Sequence, residues 1–263
     1  RTSSSIPADV SQFILFCRGA EPVEIPDAEL NDSILEIMKG EIITGKAEEI
    51  LPVIKGEKVC VMVGLGEEPD SISMRKLGEL TKSAFQTKPL NSQKPIAVIP
   101  ASAKQNTIRA IVDGMKLGLY KWNKYVTKKN GNSDFSESEI VLITEHTDLV
   151  MRLSGICEGV NLARDLANEN ADVADSQFLE NKICDIVGED PRCSIEILNH
   201  IELQEKGLHL HLAVNQGSLK EPKLVIVTYR GAGENDPFTA LIGKGITFDS
   251  GGLNLKSSGA IEN

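Results

Sequence analysis

Short apolar runs alternate with amphipathic stretches along the first half of the chain. Runs such as FILFC and VCVMV are continuous in apolar character, as expected of buried strands. The stretch 27–39 instead repeats its aliphatic residues at helical spacing. The pattern predicts strands at 13–17, 48–54, 58–66 and 94–102, and helices at 27–39, 71–86 and 105–125. This alternation is typical of βαβ units and predicts a mainly parallel sheet covered by helices.

The second half begins after a polar stretch at 126–139 that has no apolar periodicity, which we interpret as a loop or the beginning of an interdomain boundary. A long helix is predicted over 147–169, and the alternation in HLHL (209–212) favours a strand end. The other predicted elements are helices at 176–187 and 201–207 and strands at 139–144, 193–199, 223–231 and 238–252.

These elements predict an α/β protein of two domains, each a mainly parallel or mixed sheet flanked by helices. The N-terminal α/β domain is expected at 1–145 and a connecting helix at 146–170. The second domain, at 171–263, is expected to be incomplete in this chain.

The amino-acid composition limits the classes of protein to which this chain can belong. A hydrophobic content of 41% with 25% charged residues is ordinary for a globular protein. The formal charge of −10 argues against a general affinity for nucleic acid, and we interpret the basic stretch 120–129 as a solvated helix end. No apolar run approaches the roughly 20 residues that span a bilayer. Five scattered cysteines without a CxxC pair favour reduced thiols and a cytoplasmic location.

The stretch ALIGKGITFDSGGLNLK (240–256) carries the candidate chemistry. Its glycines indicate close approach of the backbone to another chain segment or a ligand. Asp249 has the chemistry of a hard-metal ligand. A buried lysine can pair with a carboxylate, or it can lose its proton and ligate a divalent cation, and a second lysine that stays protonated can stabilise an oxyanion. Lys244 and Asp249 are five apart, so their convergence requires a bend, which Gly245 could supply.

Two other interpretations are open. Lys244 and Asp249 could form a structural ion pair, with Lys256 an exposed lysine. A nucleotide-binding α/β protein would follow from the fold class alone, but the chain has no P-loop and no GxGxxG after a strand. It also lacks a GxSxG elbow and HExxH spacing among its four histidines.

The segment GKGITFDSGGLNLK (243–256) resembles the hallmark segment of the leucyl aminopeptidase, or cytosol aminopeptidase, family. NLARDLANE (161–169), LAVNQGS (212–218) and LVIVTYRG (224–231) are similar to that family as well. The resemblance extends from about residue 155 to the end and is weaker in the first half, where GMKLGLYKWNKY (114–125) is similar to a long helix of the family's N-terminal domain.

The resemblance implies a two-metal aminopeptidase that hydrolyses N-terminal amino acids, preferentially leucine, from peptides with a free N-terminus. The metals would be two divalent ions, Zn²⁺ or Mn²⁺, with Mg²⁺ or Co²⁺ also suitable. In the family pattern Lys244 ligates one metal, Asp249 contributes to both, and Lys256 contacts the substrate carbonyl and the tetrahedral intermediate. The family also implies a cytoplasmic homohexamer. The alternative is a catalytically inactive member that acts as a structural or binding subunit.

The chain departs from the family pattern at three places. Ala171 and Asp172 stand where the family has an Asn-x-Pro turn, and Ser257 stands where a proline is usual. The remaining metal ligands and the anion-binding arginine of the family are not in these 263 residues. We therefore expect this sequence to be a partial record of a longer enzyme.

This expectation predicts that the natural polypeptide has about twice the mass of the present chain. Mass spectrometry of the intact polypeptide under denaturing conditions measures it directly. A mass near 28.5 kDa, that of the 263 residues alone, would contradict the prediction, and we would then expect no aminopeptidase activity.

Overall fold

The computed structural model describes residues 2–17, 28–39, 48–65, 73–100, 104–127, 135, 138–188, 190–232 and 236–261. The chain divides into two compact units, Arg1–Asp165 (unit 1) and Leu166–Asn263 (unit 2). The division falls inside the long helix predicted over 147–169.

The described residues of unit 1 form a six-stranded sheet and four helices. The strands are β1 (Thr2–Ser3), β2 (Gln12–Cys17), β3 (Ile50–Lys55), β4 (Lys58–Gly64), β5 (Ile96–Ile99) and β6 (Ile140–Ile143). The helices are α1 (Ala28–Lys39), α2 (Met74–Phe85), α3 (Gln105–Lys116) and α4 (Thr147–Asn168). The strand order is β1-β6-β5-β2-β4-β3. The β3–β4 pair is antiparallel and the other pairs are parallel, which confirms the predicted α/β class with a mixed sheet.

Strand β2 lies in the middle of this sheet and all six of its residues are buried. Ile14 and Phe16 pack into one hydrophobic cluster with residues of α2 and α3. Phe13, Leu15 and Cys17 belong to a second cluster that includes Ile34 of α1. Because successive side chains of a strand point to opposite faces, a strand covered on both faces is apolar throughout, as the FILFC run predicted.

Helices α2 and α3 approach closely because glycines lie at their contact. A Cβ atom at Gly114 would lie 2.6 Å from the carbonyl oxygen of Gly78 and 2.6 Å from Cβ of Thr81. Thr81 is fully buried, and its hydroxyl donates to the carbonyl of Leu77 at 2.8 Å. Any side chain at position 114 would therefore push the two helices apart.

Helix α3 ends at Lys116, whereas the sequence pattern predicted a helix to residue 125. The N–H groups of Leu117 and Gly118 both donate to the carbonyl of Asp113, at 2.8 and 3.2 Å, and the chain then turns away. A Cβ at Gly118 would lie 2.4 Å from the carbonyl oxygen of Gly114, so glycine is required there. Most of the predicted loop at 126–139 lies outside the described residues.

Unit 2 contains α5 (Ser176–Val187), β7 (Cys193–Leu198), α6 (His200–Glu205), α7 (His209–Asn215), β8 (Leu224–Tyr229) and α8 (Ser258–Ile261). β7 and β8 form an antiparallel pair. The strand end predicted at HLHL (209–212) is wrong, because these residues lie in α7. The N–H groups of His211 and Leu212 donate to the carbonyl of Leu208 and form its first turn.

The strand predicted at 238–252 is not formed. This segment has no regular structure, and Leu241 and Ile242 are 94% and 96% exposed. An extended strand is stable only when a neighbouring strand satisfies its backbone N–H and C=O groups, and the segment has no such neighbour among the described residues.

All five cysteines are unpaired. Cys17 and Cys60 are fully buried, and burial raises the pKa of Cys17 to about 12 and also raises the pKa of Cys60. These two side chains serve as small apolar core residues. Within the described part of the chain, no helix combines the length and the apolar character needed to cross a membrane.

The glycine contact predicts opposite effects for two helical glycine-to-alanine substitutions. Gly114→Ala should lower the free energy of unfolding of unit 1 by about 1–3 kcal/mol, because the new methyl group overlaps α2. Gly155→Ala in α4, where nothing lies within 4 Å, should raise it by up to about 1 kcal/mol through helix propensity. Urea unfolding followed by fluorescence of Trp122, the single tryptophan, measures both. Equal effects of the two substitutions would contradict the proposed packing.

Candidate functional site

The three candidate residues lie in the segment that follows β8 in unit 2. Lys244 and Asp249 are exposed, and Lys256 is half-buried. The chain folds back between Asp249 and Lys256, because Gly251 and Gly252 have φ values of +94° and +60°. A Cβ at Gly251 would also lie 2.3 Å from the carbonyl oxygen of Asn254. Glycine is therefore what permits this turn.

The turn brings Asp249 and Lys256 into direct contact. Lys256 Nζ donates to Asp249 Oδ2 at 3.0 Å and to the main-chain oxygen of Asp249 at 3.0 Å. The N–H of Gly251 donates to Asp249 Oδ1 at 2.8 Å, and the N–H of Lys256 donates to the carbonyl of Ser250 at 2.9 Å. Both carboxylate oxygens of Asp249 thus accept hydrogen bonds from within the loop.

These contacts lower the pKa of the Asp249 carboxyl below its ordinary value. The N–H of Gly251 contributes most, followed by the hydrogen bond and the charge of Lys256, and Lys244 adds a smaller effect. A lowered pKa means that the contacts stabilise the loop above the ordinary pKa of an aspartate, and that this stabilisation is lost as the pH falls through the lowered value. The pair is exposed to solvent, so its contribution to global stability is small.

Lys244 stands apart from this pair. It makes no ion pair among the described residues, although its charge acts on Asp249 from a distance. The structural ion pair considered between Lys244 and Asp249 is therefore not formed in this structure, and Lys256 takes that position. The structure brings together two of the three predicted residues.

The described residues do not by themselves fit a two-metal centre. A divalent ion in a protein needs four or more donors, and this segment offers one amine and one carboxylate whose two oxygens already accept hydrogen bonds. Over the described ranges of the chain, no group of three His, Cys, Asp or Glu side chains has the spacing of a metal site. Lys244 and Asp249 can hold a metal only together with further ligands.

Two cavities in the described residues lie elsewhere. One, of about 720 Å³, lies between α3, β6 and α4 in unit 1. The other, of about 680 Å³, lies beside α6 and α7 in unit 2. Neither is lined by Lys244, Asp249 or Lys256.

Sequence reasoning did not identify the N–H of Gly251 as a partner of Asp249. The signal was present in the order Asp-Ser-Gly-Gly. An aspartate side chain readily accepts from the backbone N–H two residues on, and a glycine there allows the positive φ. The DSGG sequence thus encodes the loop that holds the carboxylate.

Models of one protein family match both halves of this α/β chain, including the loop around Asp249. The N-terminal-domain model of the cytosol aminopeptidase family matches residues 18–129, and the catalytic-domain model of the same family matches residues 161–263. The chain belongs to the cytosol aminopeptidase family. This finding confirms the resemblance that the sequence motifs indicated.

Relatives with the same description are found among bacterial proteins. The probable cytosol aminopeptidase of Geotalea uraniireducens (strain Rf4) is 32% identical over 211 residues, which are 77% of this chain and 42% of the relative. That of Clostridium perfringens (strain 13 / Type A) is 30% identical over 255 residues, 90% of this chain and 51% of the relative. The chain thus spans about half the length of the curated relatives it matches.

Solved structures support the fold. A mutant of tomato leucine aminopeptidase matches with a TM-score of 0.69 and 21% identity, covering 95% of this chain and 54% of that one. The bottromycin maturation enzyme BotP in complex with Mn matches with a TM-score of 0.68 and 22% identity, covering 95% and 51%. At these identities the likeness shows the fold.

The loop geometry predicts the effect of removing the Lys256 charge. Lys256→Met should raise the pKa of the Asp249 carboxyl but leave it below the ordinary value, because the hydrogen bond from Gly251 remains. A carbon-13 NMR titration of the side-chain carboxyl measures this. Lys206→Met, which removes a lysine paired with Glu196 at 3.4 Å, is the matched control and should leave Asp249 unchanged. An unshifted Asp249 in the Lys256 variant would show that the contact does not form in solution.

Proposed function

We propose that this chain forms the N-terminal domain and the first part of the catalytic domain of an aminopeptidase. The enzyme hydrolyses N-terminal amino acids, preferentially leucine, from peptides with a free N-terminus. The observation that carries the proposal is the sequence GKGITFDSGGLNLK, with Lys244, Asp249 and Lys256, inside the part of the chain that matches the family's catalytic domain. Membership of the family and the leucine aminopeptidase fold support it.

The proposal assigns Lys244 and Asp249 as ligands of divalent metals, together with ligands beyond these two. Zn²⁺ or Mn²⁺ is proposed, with Mg²⁺ or Co²⁺ as alternatives. The manganese complex of BotP supports the use of a divalent ion in this fold. Divalent ions supply Lewis acidity and lower the pKa of bound water at such sites.

Lys256 is proposed as the catalytic residue that stabilises negative charge on the substrate. Its ammonium group has three N–H donors, and two of them donate to Asp249. The third is available for a carbonyl oxygen, whose charge grows as the tetrahedral intermediate forms. Asp249 keeps the lysine at the loop through this ion pair.

The proposal includes a cytoplasmic homohexamer, which rests on the family resemblance. The second candidate is a family member without catalysis that serves as a structural or binding subunit. The presence of Lys244, Asp249 and Lys256 favours the enzyme, because a subunit that only binds has no physical need for this set.

The proposal predicts that Lys256→Ala, made in the complete natural protein, lowers kcat on a leucyl substrate by about a hundredfold or more, because an oxyanion donor is lost. Its metal content, measured by elemental analysis, should stay unchanged. Asp249→Asn should lower the metal content, and Lys206→Ala, at an ion pair outside the loop, should change neither quantity. A metal-loaded wild-type protein that hydrolyses no peptide would instead support the non-catalytic subunit.

A further inference from the structure

Sequence similarity and structural contacts assign residues 161–165 to different parts of the protein. The match to the catalytic-domain family model begins at Asn161, whereas compact unit 1 continues to Asp165. By sequence these residues are the start of the catalytic domain, and by their contacts they are part of unit 1. Their side chains explain how both statements hold.

Two of these side chains bond to the end of helix α3. Asn161 Nδ2 donates to the carbonyl of Lys116 at 2.9 Å, and Arg164 Nη1 donates to the carbonyl of Leu117 at 3.0 Å. The last carbonyls of a helix have no partner within the helix, and the C-terminal end carries partial negative charge. Asn161 and Arg164 therefore cap α3 from a neighbouring helix.

Tyr120 completes the contact. Its hydroxyl donates to Asp165 Oδ1 at 2.7 Å, and the guanidinium of Arg164 lies 5.3 Å from the centre of its ring. Arg164 Nη1 also donates to Asn161 Oδ1 at 3.2 Å. The four side chains thus form one connected network, in which the charged arginine and aspartate make the stronger hydrogen bonds.

Apolar packing contributes less to this part of α4 than to its earlier turns. The buried side chains of the helix, Leu153 and Cys157, lie on those earlier turns, whereas Leu162 is only partly buried and Glu158 to Val160 are exposed. The Lys116–Glu158 ion pair at 3.0 Å is solvent-exposed on both sides and contributes little. The polar contacts of residues 161–165 are therefore a main part of what holds these residues in unit 1.

We propose that Asn161, Arg164, Asp165 and Tyr120 form a clamp that anchors the first residues of the catalytic-domain sequence to the C-terminal end of α3. The clamp makes α4 through Asp165 a rigid part of unit 1. It also fixes the end of α3 at Lys116. This role is independent of the proposed hydrolytic chemistry and does not require that function.

Hydrogen exchange on the complete natural protein tests the clamp. In Arg164→Ala, amides of 161–168 should exchange on the order of tenfold faster or more, because hydrogen bonds of a charged group are lost. Amides around Leu153 and Cys157 should keep their protection. Arg152→Ala is the matched control, since this arginine is exposed on the same helix and makes no described contact, and it should leave residues 161–168 unchanged.

A second variant keeps the test decisive if Arg164→Ala fails to fold. Tyr120→Phe removes one hydroxyl and should speed exchange of the same amides. Adding Asp165→Ala to this variant should change the exchange rates little further, because both substitutions remove the same hydrogen bond. Exchange at 161–168 that is no faster than in Arg152→Ala would overturn the proposal. Acceleration spread evenly along α4 would overturn it as well, since it would show global destabilisation.

Discussion

Both units of this chain depend on one constraint: an extended segment forms a stable strand only beside another strand that accepts and donates its backbone hydrogen bonds. β2 has β4 on one side and β5 on the other, and its six residues are buried beneath helices on both faces. The segment 238–252 also carries aliphatic and aromatic residues, among glycines and polar residues, but it has no neighbouring strand among the described residues and is irregular. Apolar residues alone do not make a strand, because pairing must supply the hydrogen bonds of the backbone.

Helix packing in unit 1 depends on a few small or polar residues. Gly114 allows α2 and α3 to approach closely, and Gly118 allows the chain to turn directly after α3. The carbonyls exposed by that early end accept from Asn161 and Arg164 of α4. Polar contacts, which the hydrophobic pattern of the sequence does not predict, therefore connect the end of α3 to the first residues that match the catalytic-domain model.

The candidate site is organised by backbone conformation more than by burial. Positive φ values at Gly251 and Gly252 return the chain so that Lys256 meets Asp249, and the N–H of Gly251 holds the other carboxylate oxygen. Such an exposed loop adds little to stability, but it keeps a carboxylate ionised beside an ammonium group. The proposed aminopeptidase function depends on this pair of opposite charges.

The sequence by itself determined strands β2 to β6 and helices α1 to α4 of unit 1, apart from the end of α3, but not the short strand β1. It also determined the family and the identity of Lys244, Asp249 and Lys256. Periodicity and local motifs carry that information over a few neighbouring residues. Only the tertiary structure decided that α3 ends at Lys116, that residues 209–212 are helical and that Lys256 rather than Lys244 pairs with Asp249. The end of α3 depends on a tightly packed glycine and on a capping side chain 45 residues away. The contact between Lys256 and Asp249 depends on a turn at positive φ, and the periodicity of the sequence records none of these features.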